Sequence, residues 1–193
     1  MPILTVSPGD LETVLLDYQT PGTIIECTAG DHPLPERWGP GLSGCLIRFK
    51  AGSRVLSPLR DGVSQTSSIH GVSGLDIEFE GTDGVSGDAE WALEKVCYVE
   101  STGKINVTNC YIPPGNGKAK WQVGQGGAAW FVGGDMSEGR VNVRNGGRVR
   151  FFDLGGNAPS LGLLSVVEGS VFGDLSAVSS CSMERAMVHD VAW

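Results

Sequence analysis

The chain has 193 residues, enough for one domain with a buried core, and its 40% hydrophobic and 19% charged residues exclude both a disordered chain and a solvated helical one. Its 22 acidic and 14 basic residues give a formal net charge of −8, which argues against a general nucleic-acid binder, because a phosphate backbone is held by clustered Lys and Arg. Glycine is the outlier, at 29 residues where average usage gives about 13 or 14; with no period of three and only 10 prolines, collagen is excluded and a protein of many tight corners is indicated.

The start, MPILTVSPGD, has no basic region followed by a long apolar run, and no apolar stretch approaches about 18 residues, so neither a signal peptide nor a membrane span is expected. Pro8 to Gln19 predicts one short amphipathic helix, with Asp10 placed to cap it and Leu11, Val14, Leu15 and Tyr18 at helical spacing. Thr23 to Cys27 predicts a strand, and Ala29 to Asp31 a turn.

From there the sequence predicts short strands separated by Gly, Ser, Asn or Pro. They cover Cys45 to Phe49, Ser53 to Leu56, Ser68 to His70, Leu75 to Glu80, Val96 to Glu100 and Lys104 to Asn109. The series continues with Lys120 to Val123, Ala128 to Val132, Arg140 to Val143, Arg148 to Asp153, Leu163 to Val167 and Ser170 to Phe172.

One phrase recurs among them. VNVRNGGRVRFFDLGG, from Val141 to Gly156, is echoed by QVGQGGAAWFVGGD from Gln122, by SVVEGSVFGD from Ser165 and by VESTGKINV from Val99. Glycine at a fixed corner with Val or Ile on the inward positions at either side is what a stack of equivalent coils requires, each coil repeating after about 20 to 24 residues. The expectation is an all-β, right-handed parallel β-helix of six or seven coils, about 30 to 35 Å long at about 4.8 Å per coil. A β-sandwich or jelly roll is the alternative. Ile47, Phe49, Leu75, Ile77, Phe79, Ile105, Val107, Val141, Val143, Val149, Phe151, Leu164 and Val166 are expected inward, and Asp76, Glu78, Glu80, Arg140, Asn142, Arg144, Arg148 and Arg150 outward. Residues 1–22 form an N-terminal cap, 23–180 the β-helix, and 181–193 a tail that caps the far end or docks on a neighbouring subunit.

The opening, PGDLETVLLDYQTPGTIIECTAGDHPL, resembles that of right-handed parallel β-helix proteins of the pectate-lyase-like superfamily, with Pro21, Gly22, Ile25 and Gly30 in the matching strand and turn. IHGVSGLDIEFEG, residues 69–81, is similar to the family's later coils. The superfamily includes polysaccharide lyases and hydrolases, phage tailspikes, and shorter phage virion proteins that decorate or brace the capsid, so fold alone does not choose an activity.

No residue is singled out as catalytic, cofactor-binding or metal-ligating. Asp76, Glu78 and Glu80, with Asp83 and Asp88 beyond, are the best acid cluster for glycan chemistry, but outward alternation produces such a row by default. Arg140, Arg144, Arg148 and Arg150 read first as a charged solvent face and, if the face is functional, as a basic ladder suited to protein docking rather than catalysis. His32, His70 and His189 are scattered, as are Trp38, Trp91, Trp121, Trp130 and Trp193, whose dispersion favours packing and subunit contact. The paired glycines at 126, 146 and 155 sit inside strand-turn repeats, as corners and not phosphate cradles. Cys27, Cys45, Cys97, Cys110 and Cys181 show no Cys-x-x-Cys pair and read as small buried residues.

The functional expectation is a non-enzymatic structural protein of a bacteriophage virion, made in the host cytoplasm, which decorates or cements the capsid or forms a short spike. The resemblance implies a homotrimer that contacts the major capsid protein or another virion protein, and no cofactor, nucleic acid or membrane is expected. The alternative is a β-helical tailspike or lyase that binds or degrades polysaccharide, so carbohydrate is a possible partner.

Overall fold

A computed structural model describes residues 1–17, 20–81, 87–100, 102–116, 119–152 and 160–192. The chain is all-β, dominated by one 15-stranded sheet whose strand pairs are parallel. Its strands fall into two long ladders. The first runs through β1 (Ile3–Val6), β2 (Ile24–Cys27), β5 (Leu46–Phe49), β10 (Ser73–Phe79), β13 (Lys104–Tyr111), the first half of β15 (Ala128–Arg144), β16 (Arg148–Phe152), β18 (Ser170–Asp174) and β20 (Met187–Ala192). The second runs through β4 (Arg37–Trp38), β9 (Ser67–His70), β12 (Val96–Glu100), β14 (Lys120–Val123), the second half of β15, β17 (Ser160–Val167) and β19 (Cys181–Glu184). A shorter parallel sheet, β3 (Gly30–Pro33), β6 (Ser53–Leu56) and β11 (Glu90–Trp91), lies in the N-terminal half. The hairpin of β7 (Leu59–Arg60) and β8 (Val63–Ser64) is antiparallel.

The register explains the sequence echoes. Ile25, Ile47, Ile77, Val107, Phe131 and Phe151 face one another in turn along the first ladder, and Trp38, Ile69, Val99, Val123, Val143, Val166 and Met183 along the second. Every one of the thirteen positions expected inward is buried. The spacing is less regular than the echoes suggest. Ile47 and Ile77 are 30 residues apart, as are Ile77 and Val107, whereas Phe131 and Phe151 are 20 apart. The longer intervals contain the β7–β8 hairpin and the strand β11, which pair outside the two ladders.

Several local expectations are corrected. The helix is α1 (Leu11–Asp17), shorter than Pro8 to Gln19; Leu11 and Leu15 are its buried face, and Tyr18 and Gln19 lie outside the described residues. The stretch read as a turn at Ala29 to Asp31 enters β3, because Gly30 and Asp31 take up parallel partners in Ser53 and Arg54. Ala128 to Val132 and Arg140 to Val143 are one strand, β15, long enough to serve both ladders. The tail is itself β-structure: β19 extends the second ladder from β17, and β20 the first from β18. Trp193 and the paired glycines at 155 fall outside the described residues.

A continuous run of rings fills the interior. His32, Phe49, Phe79, Trp91, Trp121, Phe131 and Phe151 touch in sequence at centroid separations of 6.2, 5.3, 5.8, 4.2, 5.7 and 5.5 Å. Trp91 and Trp121 are stacked nearly parallel, at 10°, and edge-to-face contacts join them to Phe79 and Phe131. Such pairs contribute about 0.5–1.5 kcal/mol each beyond the area they bury. The indole N–H groups of Trp91 and Trp121 lack hydrogen-bond partners among the described residues. Trp121 does bear on the Cys110 thiol, offsetting a little of the burial that drives that thiol well above its usual range, although the geometry falls short of a hydrogen bond. Burial likewise raises Cys27 to about 12. Cys45 and Cys97 are buried too, but Cys181 is exposed on β19, against expectation, because the last strand of a ladder has no following strand to cover it.

Asp135 ties β15 to β17. Its Oδ1 accepts a 2.6 Å bond from the Ser160 hydroxyl and a 2.9 Å bond from the Ser137 N–H. Partial burial pushes this carboxyl up, but the hydrogen bonds outweigh it and hold the group below the ordinary Asp range. A depressed folded-state value means that the stabilisation is complete above the unfolded value, about pH 4, and is lost as the pH falls through the lower folded one. Asp135→Asn should therefore unfold at lower urea than the wild type at pH 7, with the gap closing as the pH falls below the ordinary Asp range, about pH 4. A gap unchanged at acid pH would show that the carboxylate charge is not its source.

Candidate docking surface

Strand alternation turns every second residue of the first ladder outward, and parallel pairing lines those residues up in rows. The central row is Leu46, Asp76, Asn106, Trp130, Arg150 and Phe172, each the register partner of the next. Beside it on one flank run Arg48, Glu78, Thr108, Val132 and Phe152, and on the other Ser73, Lys104, Ala128, Arg148 and Ser170.

The N-terminal half of this face is acidic, and its carboxylates are engaged. Arg48 Nε donates a 2.9 Å bond to Glu78, and its Nη1 lies 3.7 Å from Glu26, a pairing that raises the Arg48 pKa. Lys50 bonds Glu80 at 2.9 Å and the Ala51 N–H adds a 3.0 Å bond, so Glu80 sits below the usual carboxylate range. Asp76 accepts a 2.6 Å bond from Asn106. The expected cluster of Asp76, Glu78 and Glu80 thus exists as an outer row, laced to neighbours along the ladder. Asp83 lies outside the described residues, and Asp88 is half-buried after the segment that follows Gly81.

The C-terminal half is basic and aromatic. Arg148 and Arg150 point outward beside Lys104, and among the described residues none of the three has a carboxylate partner. The four arginines do not form the single row their sequence suggests. Arg140 and Arg144 belong to the second ladder, opposite Leu163 and Val167, because the corner at Asn145 to Gly147 separates them from Arg148 and Arg150. The Arg150 guanidinium lies over the Phe152 ring at 4.4 Å, and Trp130 meets the same ring edge-on at 6.4 Å. Phe172 stacks on His189 at 5.0 Å.

Trp130 is the tryptophan that differs. Trp38, Trp91 and Trp121 are buried, whereas Trp130 is 46% exposed at the middle of the face. It lines two shallow concavities: one of about 530 Å³, shared with Asp76, Glu78 and Phe152, and one of about 450 Å³, shared with Lys104, Arg148 and Phe172. Sequence reading missed this aromatic patch, although alternation could have found it. Phe131 and Phe151 are inward, so Trp130 and Phe152 must face out.

The histidines stay apart. His32 is buried, with Nε2 2.6 Å from the Thr28 carbonyl oxygen, and His70 Nε2 lies 3.3 Å from Glu100. Among the described residues no group of three or more His, Cys, Asp or Glu could hold a metal ion, and no helix is long and apolar enough to cross a membrane. The arrangement is a surface acidic towards the N-terminal strands and basic towards the C-terminal ones, with an exposed tryptophan between them. Comparison of the chain with models of known families, with curated proteins and with solved structures gives no match.

Proposed function

We propose that the chain is a right-handed parallel β-helix serving as a non-enzymatic structural subunit, one that assembles through its outer faces. The nine strands of the first ladder give a rod of about 38 Å at about 4.8 Å per step. Right-handed turns are the default for parallel strands joined by crossovers. The observation that carries the reading is the outer face of the first ladder: its carboxylates are each engaged by a neighbour, while Trp130 stands exposed among the half-buried Val132, Phe152 and Phe172. Exposed aromatic and arginine side chains are the composition of protein interfaces.

The resemblance to the pectate-lyase-like superfamily, and within it to the short phage virion proteins, gives the proposal its specific form, a capsid or tail component. The same resemblance implies three copies. The test is twofold. The purified protein should release no reducing or unsaturated sugar from a panel of neutral and acidic polysaccharides, and gold-labelled antibody to it should decorate virions. Sugar release that disappears in Asp76→Asn or Glu78→Gln would overturn the non-enzymatic reading, and unlabelled virions would overturn the location.

A further inference from the structure

We infer that the outer face of the first ladder binds a second copy of this chain, in a two-fold, antiparallel contact. The face is complementary to itself. A two-fold axis lying along the strand direction, between the Asn106 and Trp130 rungs, brings each row against its own copy with the rung order reversed. In the central row this pairs Asp76 with Arg150 of the second copy, Leu46 with Phe172, and Asn106 with Trp130, which has a polar partner for its indole edge and an apolar surface on either side.

The flanks agree with this register. Thr108 meets Val132, and Glu78 lies against Phe152, whose ring carries the Arg150 guanidinium. On the other side Lys104 meets Ala128 and Arg148 meets Ser73, so no two like charges face each other. This face turned towards a three-fold axis would have no such match, because each rung would meet the same rung of the other copies, acidic against acidic near Asp76 and basic against basic near Arg148. The charge pattern along the rod therefore favours a two-fold contact as the cover of this face, and the inference rests on this face alone, not on a virion location.

The strip from Leu46 to Phe172 is about 24 Å long and about 17 Å wide, or about 400 Å² per copy, which makes the contact a weak, reversible one rather than a permanent interface. The association should lie in the micromolar range.

The decisive experiment is a charge exchange read by sedimentation velocity from about 1 to 100 μM, the range in which a micromolar complex forms and dissociates. The wild type should approach the mass of a dimer. Asp76→Arg and Arg150→Asp should each weaken association at least about tenfold, since each sets like charges face to face. The double variant should recover association to within about threefold of wild type. Asp76 and Arg150 stand three rungs apart in one chain, about 14 Å, so recovery must come from contact between copies. Far-UV circular dichroism verifies that the variants, both at exposed positions, remain folded. A monomer throughout, or a double variant no better than the singles, overturns the two-fold. A trimer indifferent to both substitutions also overturns it, while leaving the structural-subunit reading standing.

Discussion

Trp121→Ala should lower the free energy of unfolding by about 3–5 kcal/mol, among the largest effects of any single truncation in this chain. The indole is fully buried, lies flat on Trp91 at 4.2 Å and meets Phe131 edge-on at 5.7 Å, so its removal interrupts the interior run of rings at its centre. The surrounding backbone is fixed by parallel pairing on both sides, to Cys97 and to Val141, and cannot close over the space left behind. Trp130→Ala is the contrast. That side chain is 46% exposed, and its loss should cost under about 1 kcal/mol in the isolated chain. Equilibrium unfolding in guanidinium, followed by far-UV circular dichroism, measures both; similar midpoints for the two variants would contradict the assignment of interior and surface.

Gly147→Ala should destabilise the fold by about 3 kcal/mol, at or beyond the upper end for an overpacked core. A Cβ there would collide with the Val123 carbonyl oxygen and come within 3.1 Å of the Arg144 carbonyl oxygen. Both are backbone atoms and neither can swing aside. The same corner recurs. It has two lengths. Thr102 and Glu168, with positive φ, directly precede Gly103 and Gly169, whereas the positive-φ pairs Gln125–Gly126 and Asn145–Gly146 precede Gly127 and Gly147. Each of these four glycines passes the ladder across the turn: Ala128 N–H bonds to the Gly103 carbonyl, Arg148 to Gly127, Ser170 to Gly147 and Met187 to Gly169. Gly146 is different, since its φ is +78° and a Cβ would meet open space. Gly146→Asn, which tolerates the left-handed region, should cost about 1 kcal/mol or less. Thermal and urea unfolding of the two variants separates steric exclusion from conformational freedom; equal losses would contradict the packed corner.

These corners explain how much of the fold is legible in the sequence. The echoing phrases around Gly103, Gly127 and Gly147 exist because stacked turns present a carbonyl where a side chain would stand, as the Val143 side chain does at Gly169, and the flanking Val and Phe positions follow from alternation. The N-terminal half is harder to read. There the corners vary, the third short sheet of β3, β6 and β11 rests on two to four residues per strand, and 30-residue intervals hide the register between Ile47, Ile77 and Val107. Long β15 was legible only in halves, because Gly133, Gly134 and Gly139 read as breaks when they are bends within one strand.

The site was legible in part. Asp76, Glu78, Arg148 and Arg150 were correctly placed outward, but their sharing of one face depends on which ladder each strand joins, a matter of parallel pairing over long sequence separations. For the same reason Arg140 and Arg144 were grouped with them and belong elsewhere. Trp130 was overlooked because five scattered tryptophans look alike in sequence and only the interior stack distinguishes the one left outside.

The stacking itself is most directly tested by spin-label distances along one row of the second ladder. Ser68, Tyr98, Gln122, Asn142, Ser165 and Ser182 are successive register partners, all carried on parallel strands. In a Cys181→Ser background, which removes the exposed thiol, pulsed electron resonance on labels at 68 and 165 and at 68 and 182 should give about 19 and 24 Å, a step of one strand spacing. Distances that do not increase with rung number, as when the two ends of the row lie in separate sheets packed face to face, would contradict the parallel ladder and with it the β-helix proposed above.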